Sequence, residues 1–126
     1  MTGDELVVRA KAAAVRAYAP YSSYFVGAVV VARDGRVFEG VNVENAAYPL
    51  GICAEKSAIS CAVADGCRPG DLEEIGITAS PCGGCRQWLV EFRIPEVSFR
   101  RDDGSIATYE AGELLPDTWE LPAHGP

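Results

Sequence analysis

The chain predicts a three-layer α/β/α fold built on a five-stranded mixed sheet, and three observations carry that expectation. Alternating, β-prone segments flank Asp34-Gly35 and again Asp103-Gly104, the dipeptides of tight hairpin turns. A further alternating segment, Leu72 to Ala79, lies between two stretches with helical spacing. The resulting order, α-β-β-α-β-α-β-β, puts helices on both faces of one mixed sheet. With 126 residues, 48% hydrophobic and 23% charged, positions 1–126 read as one domain able to bury its own core.

Each element has its own signal. Thr2-x-x-Glu5 is a capping box, and Leu6, Val7, Ala10, Ala14 and Tyr18 follow at helical spacing until Pro20. Tyr24 to Ala32 and Arg36 to Asn42 form the first hairpin. A polar loop with Pro49 and Gly51 leads to a helix from Cys53 to Ala64, stopped by Asp65-Gly66. After the strand at Leu72 to Ala79, Ser80-Pro81 opens a helix from Gly83 to Phe92 that Pro95 closes. Val97 to Arg101 and Ser105 to Tyr109 make the second hairpin. The remainder, with Leu114-Leu115-Pro116 and Trp119, reads as a loose tail.

The net charge of −7 without a basic stripe argues against nucleic acid and for a small, neutral ligand. No apolar run of about 18 residues spans a membrane. Met1 to Arg9 lacks the basic and apolar regions of a signal peptide, so the expected compartment is the cytoplasm. There, five cysteines point to metal binding rather than disulfides.

Three of them have metal-site spacing: Cys82 and Cys85 in Pro-Cys-Gly-Gly-Cys, and Cys53 far upstream in Cys-Ala-Glu. Three thiolates hold a zinc ion and leave its fourth position open for water, while Glu55, two residues from Cys53, handles protons. Both motifs fall at expected helix N-termini, where the dipole lowers a thiol pKa. Lys56 and Arg86 are the nearest cations in sequence to balance the thiolate charge. The competing reading is a structural clip, which closes the fourth position with another Cys or His. His124, among Pro122, Gly125 and Pro126, reads as a solvated tail residue. Cys61 reads as a buried small side chain and Cys67 as a loop thiol.

Further strings extend the pattern in order: Ala17-Tyr18-Ala19-Pro20-Tyr21-Ser22, Val26-Gly27-Ala28, Gly40 to Ala46, Arg86-Gln87 and Leu114-Leu115-Pro116. With them the chain resembles the short, homotetrameric, zinc-dependent cytidine deaminases over nearly its whole length. The resemblance implies hydrolytic deamination of cytidine and deoxycytidine to uridine and deoxyuridine in pyrimidine salvage, with Glu55 as acid and base. It also implies that Asn42 and Glu44 bind the ribose 3′-hydroxyl, although by themselves they read as turn residues after a strand. Further implied contacts are the Ala54 N–H to the base O2, the Ser80 carbonyl to the departing amine, and Trp119 closing a neighbour's pocket.

Three positions depart from the family pattern. Tyr24 and Trp119 stand where phenylalanines are usual, and Lys56 replaces an arginine whose planar fork meets the cysteine sulfurs. The altered aromatics imply a shifted preference among cytosine nucleosides, including tolerance of modified ones. A blasticidin-S-type aminonucleoside deaminase shares the zinc motif, but that branch lacks the ribose glutamate that Glu44 supplies here. Polynucleotide deaminases usually carry a histidine ligand and a basic surface. A non-catalytic zinc-stabilised assembly module has no need of Glu55.

Overall fold

A computed structural model describes residues 1–122, so His124 lies outside the described residues. Its elements are α1 (Gly3–Ala14), β1 (Gly27–Ala32), β2 (Val37–Val41), a 3-10 turn (Tyr48–Leu50), α2 (Ala54–Ala64), β3 (Leu72–Ile77), α3 (Gly83–Glu91), β4 (Glu96–Arg100), β5 (Ile106–Tyr109) and α4 (Ala111–Leu114). The sheet runs β2-β1-β3-β4-β5. Both expected hairpins are antiparallel, β1 also pairs antiparallel with β3, and β3 with β4 is parallel. The connection between the two parallel strands is α3, as a parallel crossover requires. The expected five-stranded mixed sheet with helices on both faces is the observed architecture.

Adjacent β1 residues divide the core because strand side chains alternate between faces. Val29 packs with Leu6 and Ala10 of α1. Val30 joins Ile59 of α2, Leu89 of α3 and Ile75, Ile77, Val97 and Phe99 of the neighbouring strands. All of these are buried. The second face is the one whose helices carry the cysteine motifs.

Several boundaries move for local reasons. The Thr2 hydroxyl caps α1 by accepting from the Glu5 N–H at 3.1 Å, but the helix stops at Ala14 rather than near Pro20. Arg16 and Ala17 donate three residues back, which tightens and ends the helix. Tyr18 then pairs its backbone with Asn42 and Glu44. β1 starts at Gly27 rather than Tyr24, because the Asn42 amide engages the backbone of Tyr24 and Val26. The tail contains a short helix, α4, with a reciprocal cap between Glu110 and Glu113.

Of the two spare cysteines, Cys61 departs from the expected burial. Cys61 is exposed, on the outer face of α2. Cys67 is buried, since Gly66 takes φ 103° and turns the chain back so that the Cys67 N–H donates to the Ala62 carbonyl at 2.9 Å. Cys67 thus stands in a loop as expected, with its thiol buried, whereas Cys61 faces outward where burial was expected.

Candidate active site

The site forms where two helices begin side by side. Cys53 is the N-cap of α2 and Cys82 the N-cap of α3, each with extended backbone. Cys85 lies in the first turn of α3, and its N–H donates to Cys82 Sγ at 3.5 Å. The three sulfurs lie within 4.8 Å of one another, and no other described His, Cys, Asp or Glu joins the group. Cys53 Sγ and Cys82 Sγ are 4.0 Å apart. A tetrahedral zinc ion with Zn–S bonds of about 2.3 Å places its sulfurs roughly 3.8 Å apart. The trio therefore fits zinc held by Cys53, Cys82 and Cys85, with room for one non-protein ligand.

Glu55 is buried one position inside α2, beside this group but outside it. Burial pushes its carboxyl up to about 7, and the Cys53 charge adds to the effect. Cys53 moves the other way, down to about 6, chiefly through the hydrogen bond it accepts from Cys85, with Cys82 and the Lys56 ammonium contributing. Cys85 is raised by giving that same hydrogen bond and by burial. The thiols thus share protons that a metal would displace.

The two cations near the motifs differ in placement. Lys56 reaches across to the first turn of α3, where a Cβ added at Gly84 would lie 3.7 Å from its Nζ. Arg86 instead spends its guanidinium on oxygen acceptors. Nε donates to the Pro81 carbonyl at 2.9 Å, Nη1 to the Leu114 carbonyl at 3.1 Å, and Nη2 to Ser80 Oγ at 3.3 Å. Arg86 therefore ties the loop before α3 to the end of α4.

A cavity of about 650 Å³ opens beside the sulfurs, and Tyr24, Asn42, Glu44, Ala54 and Ser80 all line it together with Cys53, Cys82 and Glu55. Trp119 does not, and it is exposed on the same chain. Asn42 Oδ1 accepts from the Val26 N–H at 2.8 Å, and its Nδ2 donates to the Tyr24 carbonyl at 2.8 Å. Sequence reasoning missed Ser22, Tyr48, Ile52 and Asp102 as lining residues. Ser22 sits inside one of the quoted strings and could have been singled out. Asp102 carries no such signal, because only the turn of the β4–β5 hairpin brings it there.

The pattern of the family described as "Cytidine and deoxycytidylate deaminase zinc-binding region" matches residues 2–101. The chain belongs to the cytidine deaminase family. It is 41% identical over 125 residues to a cytidine deaminase of Sporosarcina psychrophila, covering 92% of this chain and 90% of that protein. The crystal structure of a cytidine deaminase from Burkholderia pseudomallei superposes with a TM-score of 0.87 at 44% identity, covering 94% of this chain and all of that one. One from Mycobacterium tuberculosis gives 0.81 at 34% identity, with 96% of this chain and 99% of that chain covered. These relatives favour the cytidine deaminase reading over the blasticidin-S type and over a non-catalytic module.

Proposed function

We propose that the protein hydrolyses cytidine and deoxycytidine to uridine and deoxyuridine, releasing ammonia, and that Glu55 moves the protons. The observation that carries this is a buried carboxyl, held near neutrality, beside three convergent thiols at a cavity of about 650 Å³. Bound zinc supplies the Lewis acidity that makes water nucleophilic near neutral pH. Glu55 takes a proton from the attacking water and delivers it to the ring nitrogen next to the reacting carbon. It then carries the second proton to the amine, so water enters at that carbon and ammonia leaves. A carboxyl near 7 exists in both forms at neutral pH, which suits a group that must accept and give.

In this reading the Ala54 N–H holds the base O2, the Ser80 carbonyl receives the departing amine, and Asn42 with Glu44 holds the sugar. Tyr24 lies along the nucleoside and widens the range of accepted cytosine nucleosides. Lys56 offsets thiolate charge directly, while Arg86 contributes to the charge balance and braces the Ser80-Pro81 loop. The domain spans residues 1–126, and the working form is a homotetramer in the cytoplasm. Two features support these last readings. Exposed Tyr24, Tyr48 and Ile52 line the cavity and leave apolar surface that a neighbouring copy would cover, and all five cysteines are unpaired, as a reducing compartment keeps them. No described helix is long and apolar enough to cross a membrane.

Glu55→Gln tests the proposal. With zinc content and circular dichroism unchanged, the rate of cytidine deamination is expected to fall by about 10²–10⁴-fold. Undiminished turnover by this variant would remove Glu55 from the reaction.

A further inference from the structure

Glu44 is gripped by the segment that precedes β1, at the wall of the cavity that Ser22 also lines. Its Oε1 accepts from the backbone N–H of Tyr21 at 2.9 Å and of Ser22 at 3.1 Å. Its Oε2 takes the Ser22 hydroxyl as donor. A carboxylate has about four acceptor sites, so Oε1 is filled and one site remains on Oε2. That is the oxygen whose direction the Ser22 hydroxyl fixes. Ser22 Oγ also accepts from the Tyr24 N–H at 3.0 Å, across Ser23, a non-glycine residue with φ 58°. One hydroxyl therefore closes a strained turn on one side and orients the carboxylate on the other. No other side chain of the 18–26 loop bonds to Glu44.

We propose that Ser22 is a positioning residue for sugar recognition, setting the Glu44 carboxylate so that its remaining acceptor site meets the nucleoside 3′-hydroxyl. The inference rests on the reading that Glu44 binds the sugar. The Ser22 bond is also the leading reason that the Glu44 carboxyl lies below its usual range.

The test compares cytidine with 3′-deoxycytidine in zinc-loaded wild type, Ser22→Ala, Ser22→Thr, Glu44→Gln and the Ser22→Ala/Glu44→Gln double variant. Ser22→Ala is expected to lower kcat/KM for cytidine about tenfold through KM, and to change that for 3′-deoxycytidine less than about twofold. Ser22→Thr, which keeps the hydroxyl, retains most of the cytidine activity. In the Glu44→Gln background, Ser22→Ala does nothing more. A Ser22→Ala loss equal for both substrates, no loss at all, or a full additional loss in the double variant overturns the proposal. The two readings fail separately. Glu44→Gln hurting both substrates alike shows that the sugar role of Glu44 is wrong. A cytidine-selective Glu44→Gln with an unselective Ser22→Ala shows that Ser22 alone was misassigned.

Discussion

Glu55, the proton carrier we propose, shows how a buried carboxyl weakens the fold that holds it. It is 4% exposed, and its carboxyl stands near 7 where an exposed one stands near 4.5. The folded chain thus holds this proton over a pH range in which the unfolded chain releases it. Its contribution is fully present below the unfolded value, declines as pH rises, and is lost once the pH passes about 7. Glutamine in its place cannot ionise. In metal-free protein, Glu55→Gln should therefore gain stability over wild type as pH rises from 4 to 8, by at most about 3 kcal/mol. Urea unfolding of both metal-free forms at the two pH values measures it. A stability difference that does not change with pH would show that the folded protein leaves this carboxyl unperturbed.

At the scale of elements, the sheet brings α2 close through a missing side chain. Gly40 of β2 lies under α2, where an added Cβ would meet the Ala58 nitrogen and come within 2.5 Å of the Ala54 carbonyl oxygen. Backbone cannot move aside as a flexible side chain does, so α2 would have to lift at the turn that carries Cys53, Ala54 and Glu55. Gly40→Ala should cost roughly 1–3 kcal/mol of stability and also weaken zinc retention, because the displaced turn supplies a ligand. Thermal unfolding together with metal release to a chromogenic chelator checks both, and normal zinc retention would show that the helix tolerates the shift. The element pattern was legible where chemistry is local: the Thr2 cap, the Asp34-Gly35 turn, and the two cysteine-bearing helix starts. What stayed hidden depends on long-range contacts. Tyr18 abandons helical spacing to pair with Val43. The site followed the same division. The ligand trio could be read from spacing, whereas the grip of Ser22 on Glu44 joins residues 22 positions apart.

For the whole molecule, the question is what a single chain leaves unfinished. The cavity beside Glu55 is bordered by an apolar rim, with Tyr48 78% exposed, while Trp119, 72% exposed, lines no part of it on its own chain. Exposed aromatics at a cavity mouth are what an interface covers, and a separate copy is the occupant our tetramer reading supplies. Each copy carries a charge of −7, so assembly works against repulsion that salt screens. If a neighbour's Trp119 completes each pocket, two defective variants should repair one another. Trp119→Ala subunits keep Glu55 but lack the cap, and Glu55→Gln subunits keep the cap but lack the proton carrier. Co-refolded with zinc, the two should form mixed assemblies whose cytidine deamination exceeds the sum of the separate variants. The gain should shrink as the mixture is diluted below the assembly constant, and more readily at low salt. Light scattering on the same samples reports the number of 13.4 kDa chains per particle. Activity equal to the simple sum, in particles shown to contain both variants, would mean that each chain closes its own site.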